Sequence, residues 1–278
     1  MERQLVHPHE PHTIQPIERT ELLRCLLRQQ HASVRIDAVL FDKDGTLLDF
    51  IHLWGCWADE LLRSFRAALE ADSLSWQEHN MAGIFGTIHN EQGCIIDYDV
   101  RGPLAMGTMN DVYAVLAWQG YRAGWSWGQA SRIVRELAAA ADELLERERP
   151  VKEIAGATAF IMQCRRAGLK LGVVTADDTA NAHKHLLWLG VESLFDVIIG
   201  SDQVERGKPF PDLVVQACRQ IGVQAQHVMV IGDTNGDMMM AQAAGCPLAI
   251  GIGQSQHFAS VSTTIASFTE LLAKQEEM

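Results

Sequence analysis

The feature that most constrains this chain is a series of short apolar runs, each followed by a polar turn. Residues 36–42 (IDAVLFD) are β-branched and apolar on both faces, the pattern of a strand buried on both sides of a parallel sheet. Similar runs recur at 170–175, 195–200, 227–232, 247–251 and 262–266. Helical patterns lie between them at 157–167, 179–189, 211–221 and 237–244. Pro211 opens one of these and Gly245 stops another, as proline and glycine do at helix ends. Strands alternating with helices predict an α/β fold, a doubly wound parallel sheet covered on both faces.

Residues 51–150 break the rhythm. Helix-like segments at 53–70, 76–89, 103–119 and 126–149 fill them, and 94–100 (CIIDYDV) is the one strand-like run. The expectation is an all-helical insert between the first strand and the rest of the sheet. Six of the seven Trp fall there, with eight Arg, fourteen Asp or Glu and no Lys. Trp54, Trp57 and Trp76 read as core residues. Residues 1–16 read as a loose tail whose HPHEPH stretch is solvated, and 17–30 as a short amphipathic helix. The division is therefore 1–33 as tail and helix, 34–50 with 151–278 as the α/β core, and 51–150 as the insert.

Composition narrows the function classes. The chain has 278 residues, 47% of them apolar, which is enough for a large core. No apolar run approaches the length of a membrane span. A net charge of −12 argues against a nucleic-acid binder. Six Cys stand singly, without a CxxC pair, as reduced thiols do. The first twenty residues resemble no secretory or transit segment, so the expected location is cytoplasmic. Monomer and homodimer both stay open.

In an open parallel sheet, ligands bind beyond the carboxyl ends of the strands. The loops there carry Asp42-Lys43-Asp44-Gly45-Thr46, Thr175-Ala176-Asp177-Asp178, Gly207-Lys208-Pro209-Phe210-Pro211-Asp212 and Gly232-Asp233-Thr234-Asn235-Gly236-Asp237. Asp42, Asp44, Asp233 and Asp237 cannot all stay ionised at close range without a counter-charge. A hard divalent cation with oxygen ligands solves this, and Mg²⁺ suits a site shared with phosphate. Lys208 and the Thr175 hydroxyl are then free for phosphate oxygens. Backbone N–H groups at Gly45, Thr46 and Ala176 extend the cradle. Asp237 can also cap the helix that it begins. Asp177 and Asp178 read as helix openers, and His183 and His185 as surface residues. Arg101, Gly102, Gly107 and Thr108 lie around an insert loop that can face the site.

These four loops, in this order, resemble the four motifs of the haloacid dehalogenase-like hydrolases. The resemblance covers 34–50 and 151–278, implies a Rossmann-like core, and makes the insert similar to that family's type 1 cap. It implies that Asp42 is a nucleophile forming an aspartyl-phosphate and that Asp44 is the general acid and base. It also implies Mg²⁺ held by Asp42, the Asp44 carbonyl and Asp233, with Asp237 in or beside that set, and Thr175 and Lys208 on the phosphoryl group. Asp44 argues against dehalogenases, and the Lys-free cap argues against phosphonatases. The layout looks most similar to phosphoglycolate phosphatases. The expectation is a phosphatase acting on a small phosphorylated metabolite of the phosphoglycolate or sugar phosphate class. The alternatives are a phosphomutase of the same family and a non-catalytic phosphate-binding module. Gly45, Gly55 and the chain near Pro150 are the expected hinges of the cap.

Overall fold

The computed structural model describes residues 35–76, 81–253, 258, 261 and 263–272. The expected tail, its HPHEPH stretch and the 17–30 helix lie outside the described residues. The strands are β1 (Ala38–Phe41), β2 (Thr87–His89), β3 (Ile95–Tyr98), β4 (Lys170–Val174), β5 (Val197–Ile199), β6 (Val228–Gly232), β7 (Leu248–Ile252) and β8 (Thr263–Ile265). The helices outside the insert are α6 (Ala157–Arg166), α7 (Thr179–Leu189), α8 (Asp212–Ile221) and α9 (Asn235–Ala244). Each apolar run of the sequence yields one strand of a six-stranded sheet in the order β5-β4-β1-β6-β7-β8, parallel throughout.

Every residue of β1 and β6 is buried, which is why their sequences do not alternate with polar residues. Successive side chains of β1 still point to opposite faces. Val39 and Phe41 enter one core with Phe160, Ile161 and Phe268, while Ala38 and Leu40 enter another with Val230 and Met240. Phe41 has Phe160, Phe195 and Phe268 as ring neighbours at centroid distances of 6.0–6.2 Å.

The strand order places the functional edge. From β1 the chain winds outward through β4 to β5, then returns to β6 on the other side of β1. That reversal opens a crevice at the carboxyl ends. The register is even, because Phe41 pairs with Val173 on one side and Ile231 on the other. Whatever follows these strands therefore emerges along one line.

The insert contains α1 (Cys56–Ala71), α2 (Met81–Ile84), α3 (Pro103–Met106), α4 (Met109–Ala123) and α5 (Trp127–Glu148). A π-helical turn, Ile51–Gly55, leads into α1, so Gly55 lies in continuous helix. The incoming and outgoing chains run side by side: Asp49 N–H donates to the Lys152 carbonyl at 2.8 Å, and Ile154 N–H to the Leu47 carbonyl at 3.0 Å. Trp57, Leu61, Phe65 and Leu69 line one stripe of α1, four residues apart in three steps of the helix. They pack with Val112 and Leu116 of α4 and with Ala130, Val134, Ala138 and Ala141 of α5. The small α5 residues let these helices approach closely. Trp57 and Trp125 are buried and still satisfy their indole N–H groups, on Asp142 at 2.8 Å and Asp72 at 2.7 Å.

The insert departs from the all-helical expectation in one element. The expected helix at 76–89 is described only as α2, and the chain then enters β2, which pairs antiparallel with β3. Asn90 closes this hairpin by accepting the Gln92 and Cys94 N–H groups, and Gly93 takes φ 81° at the turn. The apolar pattern of 81–85 hides the change, because short apolar runs do not separate strand from helix. The 103–119 segment is also divided. Thr108 and Asp111 form a reciprocal cap that starts α4 afresh after α3.

Phe65 is fully buried and edge-on to Trp76 and Trp125. Phe65→Ala is expected to lower unfolding stability by about 3–5 kcal/mol. Met239→Ala, on an exposed side chain, is expected to shift it by less than about 0.5 kcal/mol. Urea denaturation followed by tryptophan fluorescence checks both.

Candidate active site

Asp42 continues the β1 ladder by one residue, its N–H donating to the Ile231 carbonyl at 2.8 Å. The side chain is thereby fixed at the crevice. The chain then turns tightly through Gly45, at φ 77°. A Cβ there would lie 2.2 Å from Asp233 Oδ2, so the turn admits only glycine if Asp233 is to stand where it does. The buried Thr46 hydroxyl donates to Asp233 Oδ1 at 3.0 Å and holds that carboxylate toward Asp42.

Lys208 reaches the same point from the loop before α8. Its Nζ lies 2.6 Å from Asp42 Oδ1 and 2.7 Å from Asp237 Oδ1. Asp237 does not cap α9 as the first-position residue; Thr234 does. Asp237 completes the reciprocal box, its Oδ2 accepting the Thr234 N–H at 3.1 Å and the Thr234 hydroxyl at 2.6 Å. Both Asp237 oxygens are thus committed, one to the helix start and one to Lys208.

Burial and mutual repulsion shape the charges. Burial, followed by the Asp237 charge and against the attraction of Lys208, pushes the Asp42 carboxyl up to about 6. Burial, then Asp42 and Asp237, raises Asp233 well above the carboxylate range. Burial opposes the charge on Lys208, but Asp237 and Asp42 outweigh it and hold the ammonium firmly protonated. One oxygen each of Asp42, Asp233 and Asp237 lies within 4.8 Å of the others. Such a set of hard oxygen donors, with one ammonium among three carboxylates, fits a divalent cation of the Mg²⁺ type.

Asp44 sits beside this cluster with its carboxylate against Lys43 Nζ, at 2.8 and 2.7 Å. Lys43 is a residue of this site that the sequence reading passes over. It is completely buried, and its ammonium is enclosed by Asp44, by Asp177 Oδ2 at 3.1 Å, by His185 Nδ1 at 3.1 Å and by the Trp54 ring at 5.7 Å. Two expectations are corrected here. His185 is a buried residue rather than a surface one, since i and i+2 positions on a helix face different ways. Burial, then Lys43 and Lys184, drives its pKa down to about 2, so it meets Lys43 as a neutral acceptor. His183 is exposed and pairs with Glu192. Asp178 caps α7 as expected, accepting the Asn181 N–H at 2.8 Å, whereas Asp177 turns inward to Lys43. A lysine placed between two aspartates directly after a buried strand was the available signal, because a buried ammonium must find anionic partners.

Thr175 is buried at the end of β4, its Oγ1 accepting the Asp177 N–H at 3.1 Å while its proton stays available for donation. Ala176 is exposed beside it. Gly45 is not a free backbone donor: its N–H is taken by the Leu48 carbonyl at 2.8 Å, so its part is to make room for Asp233. Thr46 acts through its side chain.

These groups floor a cavity of about 630 Å³. Asp42, Asp44, Thr175, Ala176, Lys208 and Asp233 line it from the sheet, and Phe50, Trp54, Tyr98, Gly107, Thr108 and Asn110 from the insert side. Tyr98, at the end of β3, is the second residue missed. Its ring stacks on Phe50 at 4.0 Å, and burial followed by Asp233, Asp44 and Asp42 keeps its hydroxyl protonated. Arg101 instead points to solvent and pairs with Asp99 at 3.2 Å. Gly102 serves packing, since a Cβ there would lie 3.0 Å from the Gly86 Cα.

The haloacid dehalogenase-like hydrolase family matches the chain over residues 36–245. This chain belongs to that family. Its similarity to individual members is local. It is 33% identical over 120 residues to a phosphoglycolate phosphatase of Yersinia pestis, covering 41% of this chain and 51% of that one. It is 38% identical over 80 residues to a phosphoglycolate phosphatase of Escherichia coli strain K12, covering 29% and 32%. The chain thus spans about half or less of the length of these curated relatives. Among solved structures, a predicted phosphoglycolate phosphatase from Haemophilus somnus superposes with a TM-score of 0.60 at 15% identity, over 86% of this chain and 98% of that one. A β-phosphoglucomutase from Clostridium difficile does so with 0.57 at 17%, over 85% and 93%. At these identities the likeness shows the fold. No described helix is long and apolar enough to cross a membrane.

The raised Asp42 has a consequence for stability. A carboxyl that binds its proton more tightly when folded contributes stability below its unfolded pKa and loses it as pH rises through the folded value. With the folded value at about 6, the metal-free protein carries this penalty at pH 7.5. Asp42→Asn is expected to raise its melting temperature there, and the gain is expected to shrink as pH falls through 6 toward 4. Calorimetry in chelator across that range checks it.

Proposed function

We propose that this chain is a phosphatase that hydrolyses a small phosphomonoester through a phosphoryl-enzyme intermediate on Asp42. The observation that carries this reading is the placement of two carboxylates of different character, Asp42 and Asp44, on the floor of one cavity, with Lys208 against the first.

Asp42 attacks the phosphorus, forming the acyl-phosphate bond while the bond to the ester oxygen breaks. Asp44 gives its proton to the departing alkoxide. It then takes a proton from water, which attacks the phosphorus and breaks the bond to Asp42, releasing inorganic phosphate. Lys208 and the Thr175 hydroxyl hold phosphoryl oxygens through both steps, and Asp237 keeps Lys208 aimed. Lys43 holds Asp44 at its post while Asp177 and His185 hold Lys43. Mg²⁺, for which Asp42, the Asp44 carbonyl and Asp233 are the fitting ligands, supplies positive charge that offsets the charge on the transferring phosphoryl group. The insert roofs the cavity and limits the water that reaches the acyl-phosphate. The overlap with local stretches of phosphoglycolate phosphatases supports the reaction class.

The purified protein is expected to release phosphate from 4-nitrophenyl phosphate in Mg²⁺, and chelator is expected to stop it. Asp42→Asn is expected to abolish turnover. Asp44→Asn is expected to lower kcat/KM for alkyl phosphates by about 10²–10⁴ and for aryl phosphates much less, because a phenolate leaves without a proton, while kcat falls for both because the later attack of water loses its base. Unchanged turnover in Asp42→Asn contradicts the reading.

A further inference from the structure

The chemistry of the cavity roof sets which ester can enter. We propose that the substrate's leaving group is uncharged and presents an apolar ring-like face, in place of a carboxylate or second phosphate. This rests on the phosphatase reading above and specifies the substrate class of that site.

Three observations carry it. First, the roof is neutral and aromatic. Phe50, Trp54, Tyr98, Leu104, Met106 and Asn110 line it, and none bears a formal charge. Phe50 and Tyr98 lie nearly parallel, 17° apart at 4.0 Å, so each covers one face of the other and the stacked pair gives the cavity an aromatic wall. Such surfaces attract apolar rings. Met106 adds an exposed thioether, which adapts to varied apolar shapes.

Second, the rest of the lining holds carboxylates but no cation to spare, because Lys43, behind Asp44 and Asp177, is completely buried and held by both. Asp42, Asp44, Asp177, Asp178 and Asp233 line the cavity, and Lys208 is the only cation among its described lining residues. That ammonium is shared between Asp42 and Asp237 and is needed by the phosphoryl group. A leaving group carrying its own anion would be desolvated among carboxylates with no partner, an arrangement that strongly disfavours binding. Third, the insert carries the same bias. Residues 51–150 contain no Lys, and Arg101, the cation nearest the roof loop in sequence, has its side chain 86% exposed and paired with Asp99. Neutral hydrogen-bonding groups are present instead, in the protonated Tyr98 hydroxyl and the Asn110 amide, and these suit hydroxyl or carbonyl groups. The volume of about 630 Å³ leaves room for a ring beyond the phosphoryl group.

The test compares benzyl phosphate, 4-carboxybenzyl phosphate and 2-phosphoglycolate as substrates of the Mg²⁺-loaded protein, with 4-nitrophenyl phosphate as the reference ester. The first two share a leaving-group skeleton and differ in one carboxylate. The kcat/KM for benzyl phosphate is expected to exceed both charged esters by about tenfold or more. Met106→Arg is expected to move the ratio toward the carboxylated ester by about fivefold or more. Turnover of either charged ester as good as that of benzyl phosphate overturns the leaving-group inference and leaves the phosphatase reading standing. Failure to turn over all four esters overturns both.

Discussion

The site is organised by one ammonium group. Lys208 Nζ lies within 2.7 Å of both Asp42 and Asp237, and it is the charge that lets two buried carboxylates converge at the end of a parallel sheet. Without it, burial and mutual repulsion would drive those groups apart or neutralise them. The backbone contributes as much as the side chains. The register of β1 against β4 and β6 ends three strands on one line, Gly45 gives up a side chain so that Asp233 can close in, and the helix start at Thr234 fixes Asp237.

A second ion network lies beside the first. Lys43 holds Asp44 and Asp177 in a buried cluster with a neutral His185. Trp54, at the entry to the insert, lies against both Lys43 and His185. The position of Asp44 is therefore coupled to how the insert packs on the sheet. The two clusters divide the labour by electrostatics: Asp42 faces the shared ammonium and the acidic cluster, whereas Asp44 faces Lys43.

The sheet was legible in the sequence because its strands are buried on both faces and leave uninterrupted apolar runs. The carboxylates were legible because each follows such a run at a position where the topology opens. Lys43 was legible only in part, from its place between two aspartates, because its other partners Asp177 and His185 lie far along the chain, and local spacing carries no sign that His185 is buried. Tyr98 was hidden for a different reason. It belongs to a hairpin within a helical region, and its place over the site comes from stacking on Phe50. Gly45 was legible as a site residue but not in its part, since a spatial clash with Asp233 cannot be read from sequence.

The central claim is that Asp42 carries the phosphoryl group during turnover. It is tested most directly by rapid acid quench of the protein during steady-state hydrolysis, followed by peptide mass spectrometry. The account predicts a single phosphoryl adduct on Asp42, labile to hydroxylamine and missing from Asp42→Asn. Turnover with no adduct at Asp42, or an adduct on another residue that persists in Asp42→Asn, would contradict it.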